Sequence, residues 1–313
     1  MWAIFVRSRS SIMKLPAFEK TYMLIPTPKE RLTSHPAVVL LLFIPIMLLA
    51  QLGRDLLYDG AILLFPYSSF PYRILFQLFA TLSTVAVVLL YCLLVERRTL
   101  RSLGFGARGA LQEYGIGLLG GFLLFGGAVL LCIACGTLTV RAAATAPSLG
   151  LLALFFVAFL IQGMSEELLC RSYLMVSLSR GWPLWSCAVV NALLFSLLHL
   201  GNPGISVIAL LNIFLFGLFA SLLTLRRGSI WMVGALHSMW NFAQGNFFGI
   251  PVSGIFGSPS PLVSISQTGT WAELINGGAF GLEAGLSVTV VLTAACAAVW
   301  FLPTKRSEIM QNE

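Results

Sequence analysis

Apolar residues fall along this chain in long blocks, separated by short stretches rich in charge, glycine or proline. Blocks at about Pro36 to Leu52, Tyr72 to Val95, Tyr114 to Gly136 and Pro147 to Ser165, the last running on toward Leu178, approach or exceed the ~20 residues that a spanning helix needs. Four more follow, at about Pro183 to Leu200, Pro203 to Leu225, Ser229 to Gly249 and Ala284 to Leu302. The pattern predicts an all-α fold, a polytopic integral membrane helix bundle of about eight transmembrane helices.

The interruptions refine this. Asp55 to Pro71, broken by Gly60, Pro66 and Pro71, is too short to cross again and is expected along the outer interface. The third block carries a GxxxG at Gly117 and Gly121, a signature of close helix packing. Pro147 to Leu178 is long for one span, which predicts a kink near Gly163 or an end lying along the interface. Gly201 to Gly204 breaks a helix, and non-helical backbone at membrane depth is expected to be buried against protein or a wet cavity.

With 58% hydrophobic and only 10% charged residues and a mean hydropathy of +0.91, the chain is excluded from the soluble globular class, whose charged fraction is ~25%. Its nineteen Lys and Arg are unevenly placed: only Arg54, Arg73 and Arg141 fall on one side of the predicted bundle, and sixteen on the other. The positive-inside rule then makes both termini cytoplasmic. The net charge of +7 is an orientation signal, with no nucleic acid implied as a partner. The six cysteines lie in or beside predicted spans, which speaks against disulfides. Cys132 and Cys135, a CxxC without a second pair nearby, read as packing residues. The first 35 residues lack a signal-peptide pattern. The expected organisation is a basic cytoplasmic tail over 1–35, N-terminal helices over 36–146, a core over 147–249, an outer loop rich in Gly, Ser and Pro over 250–283, and a last helix with its tail over 284–313.

Candidate chemistry concentrates where charge intrudes on the apolar blocks. Glu166, Glu167 and Arg171 stand in a setting where one charge near the centre of a spanning helix costs ~2.5–3.5 kcal/mol. Glu167 and Arg171 have the spacing and order of an ion pair on one helix face, while Glu166 points about 100° away. A helix end at the membrane surface would also carry such residues. Two of the three histidines, His199 and His237, also lie in apolar blocks, and Asn241 follows His237 at helical spacing. Intramembrane polar groups of this kind usually face a bundle interior or a wet cavity. A carboxylate and an imidazole can hold and deprotonate a water, and a second imidazole with a carboxamide can stabilise an oxyanion. The same groups could relay protons in a transporter.

Three motifs, EExxxR at Glu166 to Arg171, FxxxH at Phe195 to His199 and HxxxN at His237 to Asn241, resemble in that order the CPBP intramembrane proteases, also called the Abi family. That family includes CAAX prenyl endopeptidases and bacteriocin-processing or immunity proteins. The resemblance covers about Pro147 to Gly249, roughly a third of the chain. It implies an intramembrane endopeptidase cutting near the C-terminus of a membrane-associated or lipidated substrate. Glu166 and His199 would activate the water, His237 and Asn241 would form the oxyanion hole, and Arg171 would brace Glu167. It further implies a peptide or prenylated-protein substrate, a lipid bilayer as surroundings, and a multi-pass location in a bacterial plasma membrane. No cofactor is required by that mechanism, although relatives have been described as metal-dependent. The absence of HExxH argues against an ordinary zinc protease, and a divalent metal such as zinc held by Glu and two His stays open. A non-catalytic immunity or scaffold protein of the same fold is the alternative, and a proton-coupled transporter the other.

Overall fold

Every apolar block becomes helical in the computed structural model, which describes Met23 and residues 35–106, 108–143, 148–255, 261–267 and 271–302. The expected basic tail, apart from Met23 and His35, and the final stretch with Lys305 and Arg306 lie outside the described residues. Helix α1 (Pro36–Leu64) is followed by α2 (Phe70–Ala80) and α3 (Leu82–Leu90), which with a π-helical turn at Tyr91–Val95 make one span. Then come α4 (Ala110–Ala134), α5 (Leu149–Glu167) continuing through a π-helical stretch Leu168–Met175 into α6 (Val176–Leu178), α7 (Leu184–Leu197) and α8 (Val207–Arg227). Helix α9 (Trp231–Phe242) runs on as π-helix over Ala243–Phe247, and α10 (Ala272–Asn276) and α11 (Leu286–Phe301) close the chain. Among the described residues five helical segments are long and apolar enough to cross a membrane, and α7 and α11 are shorter apolar helices of 14 and 16 residues.

Several expectations need correction. Helix α1 does not stop at Leu52 but continues through Gly60 to Leu64, because one glycine among leucines and alanines costs less than the helix gains by going on. The long segment after Leu149 is not broken at Gly163; the hydrogen-bond register widens at Leu168–Met175 instead, and all eight of those residues are buried. The all-α bundle is as expected, and one short ribbon is added to it: β1 (Leu138–Ala142) pairs antiparallel with β2 (Val263–Gln267) from the segment expected as an outer loop. The break at Gly201 to Gly204 is half-buried only at Asn202, while Gly201, Pro203 and Gly204 are exposed. It lies past the end of α7, where Asn202 lines the cavity described below and the Pro203 carbonyl packs against Gly254.

Helices α4 and α9 approach closely where the GxxxG predicts contact. A Cβ at Gly117 would strike the carbonyl of Met232, and one at Gly121 the carbonyl of Leu236. Gly163 does the same for α5 and α9, since a Cβ there would lie 2.7 Å from the backbone nitrogen of Ser238. Small residues at these crossings bring the α5 carboxylates against the polar face of α9.

Hydrogen bonds define the two ends of the bundle. At one end Glu96 accepts from Arg98 (3.5 Å), Arg180 (3.2 Å) and Ser177 (3.2 Å), Arg227 pairs with Glu113, and Arg226 donates to the carbonyl of Trp300 (2.7 Å). Burial of the Arg98 guanidinium there lowers its pKa, against the pull of Glu96. At the other end Asn202 donates to the carbonyl of Ser253 (3.1 Å), Asn276 to that of Thr137 (3.0 Å), and Asn212 to those of Glu283 (2.8 Å) and Gly285 (2.9 Å).

Candidate active site

The two glutamates divide as their 100° offset requires. Glu167 is fully buried and accepts at one oxygen from Arg171 Nη1 (3.0 Å) and His237 Nδ1 (2.8 Å). Arg171, also fully buried, donates from Nη2 to the carbonyl of Gly217 (3.2 Å), and its Cζ lies 4.6 Å from the centroid of the Phe195 ring. The expected brace of Glu167 by Arg171 is therefore present. Glu166 keeps 32% of its side chain exposed and accepts from Gln162 Nε2 (2.6 Å).

His237 sits between the glutamates, Nδ1 on Glu167 and Nε2 3.7 Å from a Glu166 oxygen. His199 is not on a helix face, since α7 ends at Leu197. Its Nδ1 lies 2.8 Å from the carbonyl of Phe195, one of the last carbonyls of α7, which have no partner within the helix. A carboxylate and a carbonyl only accept, so in both rings Nδ1 carries the proton and Nε2 is left for other partners. Asn241 spends one amide hydrogen on Gln162 Oε1 (2.8 Å) and keeps the second. Phe195 explains the aromatic position of its motif: beneath Arg171, it meets the His199 ring at 4.9 Å and the His237 ring at 6.1 Å between centroids.

These groups line one cavity of about 650 Å³. Glu166, His199, His237 and Asn241 all face it, together with Gln162, Phe155, Phe159, Trp240 and Glu283. Its size falls within the ~300–1,000 Å³ usual for pockets that bind small molecules. Among the described residues no three His, Cys, Asp or Glu side chains form a group that could hold a metal ion.

Two residues of the cavity escape the motif reading. Gln162 links Asn241 to Glu166, and its signal was the same four-residue spacing that pairs Glu167 with Arg171. Glu283, just before α11, accepts from the Ser253 amide (2.6 Å), the Ser253 hydroxyl (3.0 Å) and Gln244 (3.2 Å). Burial raises its carboxyl pKa, offset in part by those bonds and by the charge of His199. No spacing ties it to the motifs.

An acid, two imidazoles and a carboxamide thus line one cavity in a helical membrane bundle. Residues 148–243 match the family described as type II CAAX prenyl endopeptidase, Rce1-like, in agreement with the three motifs. That family supports a CAAX-type intramembrane protease. The matched segment holds all seven motif residues and Gln162, and leaves Arg54, Ser253 and Glu283 outside. No curated protein and no solved structure matches the chain.

Proposed function

We propose that the cavity hydrolyses a peptide bond near the C-terminus of a membrane-associated or lipidated substrate, using a water held by Glu166 and His199. The observation that carries this reading is the half-exposed Glu166 carboxylate sharing one cavity with His199, whose ring is anchored through Nδ1. A water there donates one hydrogen to Glu166 and the other to His199 Nε2, which turns its lone pair toward the scissile carbonyl. Glu166 takes the proton as the C–O bond forms. The second amide hydrogen of Asn241 donates to the developing oxyanion, and His237 joins it by donating from Nε2 when its ring, held at Nδ1 by Glu167, carries a proton on both nitrogens; one such donor's loss costs ~2.7–4 kcal/mol in a known hydrolase. Glu166 then passes its proton to the departing amine as the C–N bond breaks.

The test is purified protein in detergent with quenched fluorogenic peptides, with and without a C-terminal prenylcysteine, and products identified by mass. Cleavage is expected, with a kcat at least ~10²-fold lower in His199→Ala, the lower end of what a positioned acid–base group contributes. Cleavage at an unchanged rate in that variant would overturn the mechanism.

A further inference from the structure

We infer that Gln162 sets the polarity of the site: it occupies one oxygen of Glu166, leaves the other as the base, and turns the Asn241 amide so that an N–H is left for the oxyanion. The inference rests on the proposed hydrolysis. It makes Gln162 a positioning residue, acting through the two groups it touches and not on the substrate.

Sequence and packing bring the three side chains together. Gln162 and Glu166 are four residues apart on α5 and so stand one above the other on one helix face. Asn241 comes from α9, which is drawn close by Gly163, where a Cβ would lie 2.7 Å from the backbone nitrogen of Ser238. The Ser238 hydroxyl also reaches the carbonyl of Leu160 (3.4 Å), so the helix crossing is tied on both sides of Gln162. Asn241 follows Ser238 by one turn. Gln162, Glu166 and Asn241 all line the cavity.

The direction of the hydrogen bonds follows from the one group that cannot donate. An ionised carboxylate only accepts, so the end of Gln162 that meets Glu166 Oε1 at 2.6 Å is its NH2. Gln162 Oε1 is thereby presented to Asn241. An amide oxygen only accepts, and Asn241 answers with its own NH2 at 2.8 Å. Of the two hydrogens on that nitrogen one is used and one is left over. Turned the other way, Asn241 would place an oxygen against Gln162 Oε1, and a lone pair would stand where the spare hydrogen now points.

The same chain decides which oxygen of Glu166 works. Oε1 is taken by Gln162, which leaves Oε2 for the water, and Oε2 is the oxygen that lies 3.7 Å from His237 Nε2. A proton received on Oε2 leaves Oε1 a carbonyl oxygen that still accepts from Gln162. The arrangement therefore survives proton transfer. Gln162 stands one turn before the first of the three motifs and belongs to none of them.

Steady-state cleavage in detergent tests this with two variants, each made with and without Asn241→Ala. Gln162→Leu has neither donor nor acceptor, whereas Gln162→Glu keeps an acceptor for Asn241. Gln162→Leu is expected to lower kcat by about tenfold or more, as small misplacements of reacting groups do, with KM changed no more than a few-fold and the thermal midpoint little changed. Asn241→Ala is expected to cost the same factor in Gln162→Glu as in the wild type, and at least about fivefold less in Gln162→Leu, where nothing holds the amide. Should Gln162→Leu fail to accumulate, Gln162→Met takes its place. A kcat within about threefold of wild type in Gln162→Leu, or an Asn241→Ala factor equal in all three backgrounds, would overturn the inference while leaving hydrolysis by Glu166 in place. Wild-type protein that cleaves no peptide would remove the hydrolase reading itself, and the inference with it.

Discussion

Glu166→Gln is expected to lower kcat by about 10²- to 10⁴-fold, the range that one positioned general base supplies, with KM changed by no more than a few-fold. The glutamine has nearly the same shape and its carbonyl can still accept from Gln162 Nε2, now 2.6 Å from a carboxylate oxygen. What it loses is the capacity to take a proton from water and return it to the leaving amine. Because the side chain is 32% exposed and not part of the Glu167–Arg171 pair, the thermal midpoint in detergent is expected to be unchanged. A fall of less than tenfold in kcat would remove Glu166 from the role of base.

Arg171→Met is expected to have the largest effect on stability. The guanidinium and the Glu167 carboxylate are both fully buried, 3.0 Å apart, and removing one charge strands the other away from water. Breaking a buried pair in this way costs about 3–5 kcal/mol, a large share of the ~5–15 kcal/mol that holds a typical domain together. Arg171 also leaves the carbonyl of Gly217 and the face of Phe195, so the loss reaches the ring that supports both histidines. The variant should unfold at a much lower temperature in detergent, or fail to accumulate in membranes. Pairing it with Glu167→Leu is expected to recover much of the stability, because two apolar side chains need no partners. It should recover none of the activity, since His237 would lose its anchor. An Arg171→Met protein as stable as wild type would show that the buried pair is not a keystone of the fold.

What could be read from the chain beforehand follows the range of the forces involved. The Glu167–Arg171 pair and the α4–α9 crossing at Gly117 and Gly121 depend on spacing within one helix, and both are as expected. The apolar blocks mark the helices because the bilayer demands the same length and composition of each. The π-helical stretches Leu168–Met175 and Ala243–Phe247 were hidden, since the register of helix hydrogen bonds there answers to neighbouring helices and not to local propensity. His199 was read as part of a helical stripe, whereas its ring instead caps the end of α7. The ribbon of Leu138–Ala142 with Val263–Gln267 joins segments far apart in the chain. Glu283 reaches the cavity only because Asn212 fixes its carbonyl and Ser253 its carboxylate, contacts that no pattern along the chain announces.

The central claim is that Glu166 and His199 act on a single water, and a double-mutant cycle in single-turnover cleavage tests it most directly. Glu166→Gln, His199→Ala and the combined variant are compared at saturating enzyme. If the two side chains serve one water, the combined variant is expected to be no more than about threefold slower than the slower single variant, because groups acting as a unit are strongly non-additive. Multiplication of the two single effects in the combined variant would mean that they act independently, and would contradict the shared-water account.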